Sequence, residues 1–181
     1  RHRSLRVIFP HFYFLSADLT QAEAFLVEFP QAHLDLAPGI ELFYNLSSTW
    51  ESSREFFCRF SDRILFGTDI LSSHSALEAQ FRAGIVYDFL TENKTCRVPE
   101  GADFLLGPPS DGIIRGLNLP QDVIDNITIH NFQRIFGPEP HLLNKRAAVA
   151  ECRRLAHIVA EVKSQPLAKC EGTRAATILS R

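Results

Sequence analysis

The chain has 181 residues, of which 45% are hydrophobic and 22% charged, with a formal net charge of −2. That length is enough for one domain with a real core, and the near-neutral balance gives no strong field toward nucleic acid or a membrane surface. No apolar run approaches the roughly 20 residues that span a bilayer.

Methionine is absent, including at position 1, and the chain opens on Arg1 almost inside a strand. The sequence therefore reads as part of a longer or processed chain. "LRVIFPHF" (Leu5 to Phe12) is a short apolar run of the kind that forms a strand buried on both faces, with Pro10 near its end where a missing donor is tolerated. "DLTQAEAFLVEF" puts Leu19, Ala22, Phe25, Leu26 and Phe29 on one helical face, with Asp18 or Thr20 to cap it and Pro30 to end it. "AHLDLAPG" is a second short strand running into a Pro-Gly turn. "IELFYNLSS" suits a turn or two of helix, and "TWESSREFFCRF" a helix with Thr49 as its N-cap. "ILFGTD" follows as a third strand.

Strand, helix, strand, helix, strand with short connections predicts a parallel sheet with right-handed crossovers. "SALEAQFRAGIVYDFL" is then helical, and residues 91–120 are a Gly- and Pro-rich loop region. "LPQDVIDNITIHNFQRIFG" gives two short helices, the second closed by Gly137, and "EPHLLNKRAAVAECRRLAHIVAEVKSQ" a long amphipathic one. Residues 1–165 read as the folded part and 166–181 as a flexible tail.

In parallel α/β folds ligands bind at the carboxyl ends of the strands. His11 follows the first strand, Asp35 ends the second with Glu41 just beyond, and Asp69 ends the third. A carboxylate placed at a strand end in a dry site costs several kcal/mol, on the order of 2–7, unless a cation meets it. A metal ion or an imidazolium would serve. Asp69 equally suits capping the helix that follows, and His11 by itself suits a satisfied core position. Asp35 reads as a support for a neighbouring loop. Glu41 and His74 stand near the same rim as candidate substrate-binding residues, although a solvated or capping glutamate and a surface histidine are ordinary. His33 precedes its strand end and points elsewhere; His130, His141 and His157 look structural. Neither His-x-His nor C-x-x-C occurs, so no self-contained metal motif can be read from spacing, and "GPPSDG" is a turn-rich connection. Four scattered cysteines suit reduced thiols in a cytoplasmic protein.

"RVIFPHF", "AHLDLAPGIELFY", "REFFCRFSDRILFGTDI" and "IIRGLNLPQDVIDNITIHNFQRIFG" together resemble the carboxyl-terminal part of amidohydrolase-related proteins, over about residues 6–144. These are metal-dependent hydrolases of the amidohydrolase superfamily, and the branch includes decarboxylases of the aminocarboxymuconate-semialdehyde type. The resemblance implies an α/β fold: about strands six to eight of a TIM (β/α)₈ barrel, followed by C-terminal helices. It implies that Asp69 ligates a divalent metal ion such as Zn²⁺ or takes a proton from its bound water. His11 would act beside the metal in substrate binding or proton transfer. Asn131, Phe132 and Arg134 match the segment that closes the barrel's outside.

The family's His-x-His and strand-five ligand are not in this sequence, and Phe-Tyr-Phe follows His11 where glycines are often found. The expected function is therefore hydrolysis of a small-molecule substrate by metal-activated water, incomplete in this chain. The alternatives are decarboxylation of a carboxylated substrate on the same scaffold or a non-catalytic fragment. The isolated 181 residues are expected to be inactive. No nucleic-acid or membrane partner is expected, and dimers, which are common on this scaffold, stay open.

Overall fold

The structure, a computed structural model, describes residues 4–39, 41–97, 113–139 and 142–181. His141 and the "GPPSDG" connection lie outside them. The first strand, β1 (Val7–Phe9), runs parallel to β2 (Ala32–Asp35), and β2 runs parallel to β3 (Ile64–Leu65). Between β1 and β2 lie a tight turn, His11–Phe14, and helix α1 (Leu19–Glu28). Asp18 caps α1 by accepting a hydrogen bond from the Gln21 amide at 3.0 Å. Between β2 and β3 lie α2 (Leu42–Ser48) and α3 (Trp50–Arg59). Thr49 stands at the start of α3 but makes no capping bond; its hydroxyl pairs with that of Ser53 instead.

The expected barrel segment is not present. The three strands form a small open sheet in the order β1-β2-β3, each strand two to four residues long, and most of the remaining chain is helical. The reason lies at the edge of β3. Where a barrel would need another parallel strand, the chain supplies a helical segment: α5 (Gln121–Asp125), a π-helical turn (Asn126–His130) and α6 (Asn131–Phe136). The Phe66 amide donates to the Ile127 carbonyl at 2.9 Å, and buried Asn131 donates to the carbonyls of Ser61 and Ile64, each at 2.6 Å. Gly137, with φ 94°, ends α6 and returns its amide to Gln133.

Apolar faces meet over the sheet. Leu34, Leu36 and Ile64 of the strand region pack with Phe43 of α2, Phe57 of α3 and Phe89 of helix α4 (Ala76–Thr91), all essentially without exposure. Ser75 caps α4 through the Glu78 amide. A second sheet falls where a loop was expected: β4 (Thr95–Cys96) pairs antiparallel with β5 (Ile114–Arg115). Trp50 of α3 anchors β5 from outside the pair. Its indole N–H donates to the Gly116 carbonyl at 2.8 Å, and the Arg115 guanidinium lies 3.9 Å from its ring centre.

The chain divides into two units, residues 1–138 and 139–181. In the second, α7 (Lys145–Val162) is capped by Asn144 and packs against α8 (Glu171–Leu179). The sequence read this last stretch as a loose tail; it contains a helix. Gly172 permits the close approach, since a Cβ there would lie 2.5 Å from the Cys152 carbonyl oxygen. Among the described residues no helix is long and apolar enough to cross a membrane.

Candidate functional site

The turn after β1 is left-handed. His11, Phe12, Tyr13 and Phe14 all have φ between 53° and 57°, a region in which L-residues other than glycine cost roughly 1–2 kcal/mol each. The surroundings impose it. Phe12 is fully buried, its ring 5.7 Å from that of Phe56 and 6.0 Å from that of Phe57. Tyr13 packs on Phe9 and Phe25. The Tyr13 amide closes the turn onto the Pro10 carbonyl at 2.9 Å.

This turn presents His11 at the carboxyl end of β1 with its backbone and one ring nitrogen already committed. Its amide donates to Asp35 Oδ1 at 3.0 Å, and the same oxygen accepts the Ala37 amide at 3.0 Å. The ring Nδ1 lies 3.1 Å from the Ala37 carbonyl oxygen. A carbonyl only accepts, so Nδ1 carries the proton, and in the neutral ring Nε2 presents its lone pair. Asp35 thus serves as the loop support read from the sequence. Gly67, at the end of β3, allows this packing. A Cβ there would stand 2.8 Å from the Ala37 nitrogen and 3.2 Å from the Asp35 carboxyl carbon.

Asp69 lies two residues beyond Gly67, also left-handed at φ 51° and with its side chain 40% exposed. It caps no helix, since Ser75 does that for α4. The cation that meets it is Arg82 of α4, whose Nη1 is 3.3 Å from Asp69 Oδ2 and whose side chain is almost fully buried. Arg82 Nε also donates to Glu78 Oε1 at 3.0 Å, and His74 Nε2 lies 3.4 Å from that oxygen. His74 Nδ1 accepts the Leu71 amide at 3.1 Å, which places its ring proton on Nε2, toward Glu78.

The candidate residues therefore fall into two groups. His11 joins Asp35 at the strand ends; Asp69 joins His74 through Arg82 and Glu78 along the loop and α4. His11 and Asp69 do not bond to each other. Glu41 is exposed, precedes α2 without capping it, and belongs to neither group. Arg82 was not singled out from the sequence. Its signal is there, a lone cation in "ALEAQFRAGIVYDFL" four residues after a glutamate.

Among the described residues no group of three or more His, Cys, Asp and Glu side chains converges as a metal site. Asp69 already faces a guanidinium, and His11 offers a single free nitrogen. These donors do not by themselves make the zinc centre that the sequence resemblance implies. Comparison with protein-family models, curated proteins and solved structures finds no match to this chain.

Proposed function

We propose that the rim where β1 and β2 end is the site of a hydrolase acting on a small-molecule substrate, with His11 as its acid–base group. The observation that carries this reading is the His11 environment. Its amide is fixed by Asp35 and its Nδ1–H by the Ala37 carbonyl, so a single basic nitrogen is oriented without further ordering on substrate binding. Nε2 would take a proton from water as it attacks a carbonyl carbon and return it to the leaving group. A base placed in this way contributes about 10²–10⁴-fold in rate. The likeness of "RILFGTD" and "NFQRIFG" to metal-dependent hydrolases supports the reaction class.

Decarboxylation of a carboxylated substrate is less well supported. Such a substrate needs an unpaired cation, and Arg82 is shared between Asp69 and Glu78, which leaves that cluster with a net negative charge. A cytoplasmic location belongs to the same proposal, supported by four cysteines that are all free thiols.

The test is turnover of lactones, amides and esters by the protein as its source cells make it, with and without added Zn²⁺. Hydrolysis should fall by at least about 100-fold in His11→Gln, which keeps a donor toward Ala37 but lacks the basic nitrogen. Hydrolysis unaffected by His11→Gln, or none of any substrate, overturns the reading. The 181 residues expressed alone should not turn over, because His11 and Asp69, the two groups that the resemblance assigns to the reaction, are held in separate hydrogen-bonded groups.

A further inference from the structure

The two edges of the parallel sheet are treated differently. That of β3 is sealed by the Phe66–Ile127 backbone bond and by Asn131. That of β1 is open: β1 is the terminal strand of its sheet, and no described strand pairs with its outer side. Because the Val7 amide donates to Gln31, on the β2 side, the alternation of the strand turns the Ile8 N–H and C=O outward. An outward donor and acceptor on an uncovered strand are a template for a further strand.

Beside this edge runs a groove of about 840 Å³ between β1 and the flank of α1. Val7 and Phe9 form its strand wall, and Phe25 and Phe29 its helix wall, with Tyr13 at one end. The rings support one another rather than filling the groove: Phe9 and Phe25 meet edge-on at 5.2 Å, and Tyr13 and Phe25 are 5.0 Å apart. Tyr13 and Phe29 remain 44% and 48% exposed. Among the described residues one charged side chain lines the groove, the exposed Glu28, and no described cation pairs with it.

We infer that the outer edge of β1 and this groove form a docking site for an extended peptide strand. The strand it fits has apolar side chains at alternate positions and a lysine or arginine placed to meet Glu28. Its backbone bonds to Ile8, its apolar side chains enter beside Val7 and Phe9, and its cation pairs with the Glu28 carboxylate. Backbone pairing supplies attachment and the alternate side chains supply selectivity, as in other strand-addition sites.

The experiment is fluorescence polarisation of the purified protein with two dye-labelled peptides, Thr-Val-Thr-Val-Lys-Val-Thr and the same peptide with glutamate for lysine. The lysine peptide should bind saturably and at least tenfold more tightly than the glutamate peptide. Glu28→Lys, a surface change, should reverse that order. Ile8→Pro removes an outward N–H and none that faces β2, so it should abolish binding while the thermal unfolding transition is retained. No saturable binding, or a preference that Glu28→Lys leaves unchanged, overturns the inference. So does light scattering that shows the edge occupied by a second copy of the chain in a dimer that Ile8→Pro dissociates.

Discussion

Phe14 stands in a left-handed conformation at φ 57° with its side chain 79% exposed, so it bears the backbone cost of the His11 turn with little packing in return. Glycine adopts that conformation without strain. Phe14→Gly is expected to stabilise the protein by about 0.5–1 kcal/mol, the relief of strain outweighing the greater unfolded-state freedom of glycine. Phe14→Ala should give no such gain, and paired thermal melts of the two variants check this. The sequence pointed to these positions by the absence of glycine after His11; it could not show that the chain adopts the glycine conformation regardless, because burial of Phe12 decides that. His33, buried at the sheet, makes a second prediction. Burial pushes its pKa below 6.5, helped by the positive charges of Arg63 and Arg134. Below pH 6.5 the unfolded chain takes up a proton that the folded one resists, so this contribution is complete above pH 6.5 and is lost as pH falls below it. His33→Gln should flatten the stability–pH curve in that acid window relative to the parent, measured by denaturant unfolding at several pH values. The sequence reads His33 as preceding its strand end, and its Nδ1 lies 3.3 Å from the Gln31 carbonyl oxygen, at the start of β2 rather than at its carboxyl end.

The elements most clearly written in the sequence are those whose signals are local. Asp18, one of the two caps read for α1, does cap it, and the apolar strands β1, β2 and β3 fall inside the runs expected to hold them, whereas α4 is capped by Ser75 and not by Asp69. β4 and β5 were not legible, because two-residue strands separated by a long connection exist through each other's hydrogen bonds and leave no pattern in either stretch. α8 was missed for a related reason: its packing on α7 depends on Gly172 and small residues such as Ala176, which carry a weak apolar signal. The junction of β2 and β3 is where element geometry bears directly on the candidate site. Gly67→Ala would force a methyl to within 2.8 Å of the Ala37 backbone nitrogen, which cannot yield as a flexible side chain can. We expect a loss of about 1–3 kcal/mol and a displaced Asp35 carboxylate that no longer holds the His11 amide. Thermal melts report the first, and the amide resonance of His11 in an NMR spectrum the second.

At the scale of the molecule, the alternation of strands and helices was read correctly as a parallel sheet but extended to the wrong architecture. Periodicity fixes what each strand buries, and it is silent on what covers the sheet's edges. Here the edge of β3 is closed by side-chain and backbone bonds from the α5–α6 segment, contacts made across more than sixty residues. Asn131 is the centre of that closure. It is fully buried, its Nδ2 serves two carbonyls, and its Oδ1 has no hydrogen-bond partner among the described residues. One polar side chain is thus retained in an apolar place with an unsatisfied acceptor, and it donates to the carbonyls of Ser61 and Ile64 at the edge of β3. Asn131→Ala removes both of those hydrogen bonds from a buried place and should destabilise by about 2–4 kcal/mol. If the closure holds the sheet and the α5–α6 segment as one cooperative unit, the loss should appear as a lower midpoint with an unchanged denaturant slope, whether followed by far-UV circular dichroism or by the fluorescence of Trp50. Two probes that separate in this variant would show instead that the helical segment detaches from an intact sheet. In that case Asn131 would be an attachment point rather than the residue that sets where the sheet ends.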